Sequence, residues 1–339
     1  MPGGDLMTGG SVMPGGHLVT GGSVMPGGHL VTDGASLLTA GVHLLLALLL
    51  APLLVGVIHR TKAILAGRRG QPLLLPYLDL WKLLRKGAVY STTTTWVFRA
   101  GPSVSLAALL VALALVPFAN SRALLAFPGD LLLFAYLLAL ARLGLVLGAL
   151  DTGSSFEGMG ASREVTFSAL AEPALLLGLV AMAREAWSLS LTDVYARLAP
   201  ISLVVGGGPI LLLVAAAFAL VYLCENARIP FDDPNTHLEL TMIHEVMILD
   251  HSGPDLALLQ YGAALKLWIL GSLVMGILLP LHGAPPLLAT AAGCLGMLLL
   301  AVATGIVEST MARLRLARVP QLLAAAGALS ALALILALK

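Results

Sequence analysis

Past residue 36 the chain falls into long apolar blocks separated by short polar stretches. Blocks centred on 37–58, 101–119, 130–150, 164–184, 201–223, 257–280, 285–306 and 319–338 each run for roughly 20 residues, the length an α-helix needs to cross a hydrocarbon core of ~30 Å. The pattern predicts an all-α integral membrane protein with about eight transmembrane helices. Between the first two blocks, 72–87 (PLLLPYLDLWKLLRKG) has a different rhythm. Asp79, Lys82, Arg85 and Lys86 recur at helical spacing, with Leu78, Trp81, Leu83 and Leu84 over the rest. That is the pattern of an amphipathic helix lying at the membrane surface or packed as a lid on other protein.

The first 36 residues are a tandem array: MPGGDLMTGGSV, MPGGHLVTGGSV and MPGGHLVTDGAS. Repeated glycine makes such a segment costly to order, so residues 1–36 are expected to be a disordered tail and 37–339 the membrane domain. Met1, Met13 and Met25 each open a unit, so the start codon is ambiguous. No basic region followed by a short apolar core marks a signal peptide.

Composition agrees with the block pattern. Charged residues make up 11% of the chain, against about 25% in soluble domains, too few to cover a globular surface. A net charge of +1 argues against nucleic acid as a partner. The two cysteines, Cys224 and Cys294, lie far apart, so this chain alone builds neither an iron–sulfur nor a structural zinc site. Basic residues are distributed unevenly. Thirteen, from Arg60 to Arg318, fall in loops after odd-numbered blocks, and only Arg122, Arg184 and Arg197 after even-numbered ones. The positive-inside rule then places the odd loops in the cytoplasm and both termini outside the plasma membrane.

Three ionisable residues fall where they are expensive. Arg142, Glu172 and Lys266 each sit eight or nine residues inside a block, roughly 12–14 Å deep at ~1.5 Å per residue. Insertion scales charge ~2.5–3.5 kcal/mol for each such group. Their common depth implies that they face one another or a wet cavity, as a proton path or as a structural ion pair. The loop region 224–256 is the densest polar stretch, with Glu225, Asp232, Asp233, Glu239, Glu245 and Asp250, His237, His244 and His251, and Arg228 as the one base within it. Pro230 and Pro234 interrupt helix there, and Thr236–Asp250 has the pattern of a short helix. Crowded carboxylates favour proton uptake, and an acidic face also suits a basic partner. His244-Glu245 is no metalloprotease motif, because position 248 is isoleucine. No Ser/His/Asp set, dinucleotide site or metal site emerges.

Several strings resemble the complex I subunit 1 superfamily. Gly158-Met-Gly-Ala-Ser-Arg-Glu164 with Ala171-Glu172-Pro173, and Glu225 with Arg228-Ile-Pro-Phe-Asp232, look like two of its cytoplasm-facing segments. The longer IPFDDPNTHLELTMIHE followed by Asp250-His-Ser-Gly253 resembles the hydrogenase branch, that of formate hydrogenlyase subunit 4 or hydrogenase-4 component C. Trp96–Pro102 and Glu308–Arg315 match its style, and the resemblance covers roughly 37–338. It implies a membrane anchor for a peripheral arm of hydrogenase-like large and small subunits and an iron–sulfur subunit, beside antiporter-like membrane subunits. The [NiFe] and iron–sulfur centres would belong to those partners, with no cofactor in this chain.

On this reading Glu172, Glu225, Glu239, Glu245, Arg142 and Lys266 are the candidate proton path. Arg163, Glu164, Arg228, Asp232, Asp233 and His237 are the candidate arm-docking set. The alternative is a quinone-site subunit of a complex I-like NADH dehydrogenase. Where that branch has a run of glutamates, this chain has Asn235, His237 and Glu239, which favours the hydrogenase branch. A free-standing secondary transporter is disfavoured, because the two halves carry no matching broken helices.

Overall fold

A computed structural model describes residues 34–119, 121–198, 207–232, 242–281 and 283–339. The repeats up to residue 33 lie outside it, as do residues 201–206 of the fifth apolar block and 233–241 of the acidic loop.

Among the described residues eleven α-helices follow in order: α1 (Gly34–Leu65), α2 (Leu75–Leu84), α3 (Trp96–Leu115), α4 (Asp130–Asp151), α5 (Ser155–Ala186), α6 (Leu191–Arg197), α7 (Gly208–Glu225), α8 (His244–Met247), α9 (Gly253–Leu278), α10 (Pro286–Thr310) and α11 (Val319–Ala337). All but α2, α6 and α8 are long and apolar enough to cross a membrane, eight in all among the described residues. The chain is therefore a multi-pass, all-α membrane protein, as the block pattern predicts.

Local chemistry sets many of the helix starts. Pro76, Pro209, Pro254, Pro286 and Pro320 stand in the first turns of α2, α7, α9, α10 and α11, where a missing N–H costs nothing. At α3 the Thr95 hydroxyl accepts from Val97 N, and the Asp151 carboxylate at the end of α4 accepts from Thr95 N at 2.6 Å and Phe98 N at 3.2 Å. A carboxylate at a helix N-terminus satisfies orphan donors and complements the dipole. Asp130, fully buried, does the same on the opposite end of the bundle, accepting from Leu191 N at 2.6 Å and Ser190 Oγ at 2.9 Å.

Several helices run past the apolar blocks that predict them. The α5 helix begins at Ser155 rather than near 164, α1 runs on to Leu65 rather than 58, and α9 starts at Gly253 rather than 257. Hydropathy marks only the length immersed in lipid, whereas backbone hydrogen bonding continues into the polar flank. The surface helix spans Leu75–Leu84, inside the expected 72–87. Its Leu78, Trp81 and Leu84 are exposed, and it lies against α1 and α9. The short helix expected over Thr236–Asp250 is confined, among the described residues, to His244–Met247.

In lipid no water drives helices together, so close van der Waals packing must. The interior accordingly uses small residues: Ala47 and Ala51 of α1, Ala112 of α3, Ala174 and Ala181 of α5, and Ala326 and Ala333 of α11 are all fully buried. Trp268, Phe134 and Leu179 fill the larger spaces. On α4, Leu132, Leu133, Tyr136, Leu140, Leu143, Leu147 and Leu150 form an exposed stripe at three- and four-residue spacing, a face matched to lipid or to another membrane subunit.

Candidate functional site

The interior of the bundle holds an ionic cluster around one guanidinium. The α4 helix supplies Arg142, α5 supplies Glu164 and Glu172, α7 ends in Glu225, and α9 supplies Lys266. Glu164 and Glu172 are eight residues apart on α5, just over two turns, so they fall on neighbouring faces and both reach Arg142. Arg142 is only 7% exposed at its side chain. Its Nη1 pairs with Glu172 Oε1, its Nη2 donates to Glu225 Oε1 and Oε2 at 2.5 and 2.6 Å, and its Nε lies 3.3 Å from Glu164 Oε1. Lys266 Nζ stands 2.7 Å from Glu225 Oε2. Arg142 thus uses its planar fork on three carboxylates at once.

This placement revises three expectations. Glu164, assigned to arm docking with its neighbour Arg163, points inward and belongs to the Arg142 cluster, while Arg163 Nη1 donates to Met242 O at 3.0 Å. The signal was in the sequence: Glu164 and Glu172 repeat at helical spacing on one span. Glu172 is not sealed in the interior, since its side chain is 42% exposed. It stands at the rim of the cluster, turned partly outward from α5. Arg228 is not the one base opposing the acidic loop. Its Nη1 lies 3.4 Å from Glu308 on α10, whereas Asp232 is met by Arg313 at 3.3 Å and Glu225 by Arg142 and Lys266. Bases distant in sequence supply the charge balance, which loop composition alone could not reveal.

Asp232 is buried and organises the loop from within. Its Oδ2 accepts from Ile243 N at 3.0 Å and His244 N at 3.4 Å, tying the start of α8 back to the segment after α7. Gly160 of α5 makes room for α8: a Cβ there would lie 2.5 Å from Val246 Cγ1 and 3.0 Å from Ile243 O. Gly160 of the Gly-Met-Gly segment is therefore read as a packing glycine. Asp233, His237 and Glu239 lie outside the described residues.

Beside the cluster lies a cavity of about 370 Å³ bordered by the surface helix α2 and helices of the bundle. Arg142, Glu164, Glu225, Lys266, His244 and Glu245 line it, and Val55, Leu75, Leu80, Leu109, Leu138 and Leu145 form an apolar wall. Burial holds the His244 imidazole below its ordinary value, with Glu245 pulling it up and Lys266 and Arg228 pushing it down. With all groups ionised, Glu164, Glu172 and Glu225 outnumber Arg142 and Lys266 by one charge. Chemically the site can hold, accept and release protons. Among the described residues no three of His, Cys, Asp and Glu gather as a metal site, and Cys224 and Cys294 are free thiols.

Comparison with known proteins places this architecture. A family model described as NADH dehydrogenase matches residues 38–338. The chain is 34% identical to hydrogenase-4 component C of Escherichia coli K12 over 274 residues, covering 78% of this chain and 84% of that protein. It is 32% identical to formate hydrogenlyase subunit 4 of the same organism over 295 residues, covering 85% and 94%. Its fold is similar to that of a chain in an archaeal membrane-bound sulfane sulfur reductase, a respiratory membrane complex, with a TM-score of 0.76 at 21% identity, over 89% of this chain and 99% of that one.

Proposed function

Because the chain belongs to the NADH dehydrogenase family of complex I subunit 1 type, in the branch of hydrogenase-4 component C and formate hydrogenlyase subunit 4, we propose that it is the membrane-anchor subunit of a multisubunit [NiFe]-hydrogenase or formate hydrogenlyase-type complex. It docks a soluble redox arm and contributes to a proton path. The observation that carries the proton role is the Arg142 cluster, in which three carboxylates share two bases inside a membrane bundle. Excess negative charge in a low-dielectric interior favours taking up a proton. Glu225 and Glu245 lie on the cavity side of the path, with Glu239 in the same loop, and Glu172 at the rim. The half-exposed edge of Glu172, within a membrane span, suits a neighbouring antiporter-like subunit that continues the path.

The arm docks on the face that Arg163, Arg228 and Asp232 shape, and Asp233 and His237 of the same loop sequence belong to the docking set. Arg228 and Asp232 are buried and shape that face from within. This face is cytoplasmic, by the bias of basic residues, and both termini lie outside. Electrons stay in the partners, whose [NiFe] and iron–sulfur centres do the redox chemistry.

One observation favours a second reading. The apolar-walled cavity of about 370 Å³ beneath α2 is large enough for an amphiphile, as a quinone-site subunit requires. Mild-detergent purification discriminates the two: nickel and iron in the co-purifying subunits support the first reading, flavin and quinone the second. For the proton role, the test is Glu172→Gln, which keeps shape and cannot ionise. The expected variant assembles, retains redox turnover and loses coupled proton uptake. An assembled variant that moves protons at the wild-type ratio overturns the role.

A further inference from the structure

A second ionic cluster borders the same cavity and has no part in the path above. Glu308 of α10 has a fully buried side chain. Lys62 Nζ of α1 lies 2.7 Å from its Oε2, and Arg228 Nη1 lies 3.4 Å from its Oε1. The approach of α1 to α10 that brings Lys62 there depends on Gly305, one turn before Glu308, where a Cβ would stand 2.7 Å from Thr61 Cβ and 3.1 Å from Ile58 O. His59, one turn before Lys62 on α1, lines the cavity together with Arg228.

Two features join this cluster to the Arg142 cluster. His59 and Arg228 line the cavity that Glu164, Glu225 and Lys266 also line. Arg228 follows Glu225 by three residues, a stretch that spans at most about 11 Å. The clusters are also opposite in balance. Lys62 and Arg228 outnumber Glu308 by one positive charge, and the Arg142 cluster carries one excess negative charge when every group is ionised. Between them the cavity, at about 370 Å³ and with polar groups on its wall, has room for on the order of ten waters.

We propose that Lys62, Glu308 and Arg228 form a second proton-exchanging station, with His59 as its cavity-side carrier, linked through cavity water to Glu164 of the Arg142 cluster. The inference rests on the proton-path reading and extends it to residues that reading leaves out. One transfer breaks an N–H bond of the Lys62 ammonium and forms an O–H bond at Glu164. The His59 imidazole accepts a proton at one nitrogen and gives one up at the other, with water carrying it the rest of the way. No electrons move, and the excess charge of both clusters falls to zero. Glu308 and Arg228 position Lys62 and set the balance of its charge.

The test uses the whole complex, isolated with its partner subunits and reconstituted in vesicles, with redox turnover and coupled proton uptake read together. Lys62→Met combined with Glu308→Gln removes one charge of each sign and leaves no buried carboxylate unpaired. The expected result is normal assembly and turnover with proton uptake reduced at least tenfold. Wild-type uptake in that double variant makes the cluster a structural pair and overturns the proposal. If the double variant does not assemble, His59→Gln decides: it adds no charge and is expected to lower uptake several-fold, and wild-type uptake there overturns the proposal equally. The two levels separate cleanly. Wild-type coupling in the station variants alongside its loss in Glu172→Gln rejects the second station alone, whereas full coupling in Glu172→Gln rejects the underlying reading.

Discussion

Lys266 Nζ on α9 lies 2.7 Å from Glu225 Oε2 on the last turn of α7, and Arg142 Nη2 holds both oxygens of the same carboxylate. Two cations on one buried acid tie α4, α7 and α9 together within the bundle. Removing one partner of a buried pair leaves an uncompensated charge and typically costs ~3–5 kcal/mol. Arg142 remains on Glu225 when Lys266 is lost, so Lys266→Met is expected at the lower end, about 3 kcal/mol, seen as a reduced thermal midpoint of the detergent-solubilised chain. Lys266→Met with Glu225→Gln should recover most of that loss. A double variant no more stable than Lys266→Met would show that the pair does not hold these helices.

Asp232 predicts a local effect. Asp232→Ala leaves the Ile243 and His244 amides without their acceptor and takes a carboxylate from Arg313. Each unsatisfied buried group costs about 1–3 kcal/mol. Hydrogen exchange at residues 243–248 should accelerate while that of the spanning helices does not. Unchanged exchange there would show that Asp232 does not order the segment.

His251 predicts an acid-side weakness. It is buried, stacked on Phe98 with ring centroids 3.9 Å apart, and its Nδ1 has no hydrogen-bond partner. Burial lowers its pKa from 6.5, against the opposing pull of Asp255 and Asp250. A base with a depressed folded pKa stays neutral in the native state while the unfolded chain binds the proton. Its contribution is therefore complete above about 6.5 and lost as pH falls below it. His251→Phe keeps the stack and cannot titrate. The loss of thermal stability between pH 7 and pH 5 should be smaller in that variant; an identical loss would place the acid sensitivity elsewhere.

Orientation is tested on α2. With Cys224 and Cys294 replaced by serine, a cysteine at Lys82, an exposed site, should react with an impermeant maleimide only from the cytoplasmic side. Reaction from outside would invert the topology and move the docking face with it.

The sequence by itself determined the class, the eight spans and the family. Lipid solvation demands long uninterrupted apolar runs, and such runs are written in consecutive residues. It also marked the costly charges Arg142, Glu172 and Lys266, because a charge within an apolar run stands out without knowledge of any neighbour. It did not reveal which charges meet. Glu164 joins Arg142, Arg228 joins Glu308 and Lys62, and Asp232 joins Arg313, pairings between helices whose rotation and crossing are set by small-residue packing. Nor did it mark α6 or the capping role of Asp130, since a short helix leaves too little periodicity to read and a cap acts on backbone distant in sequence. Ion pairing across a bundle depends on the relative placement of separate helices, and only the tertiary structure decided that placement.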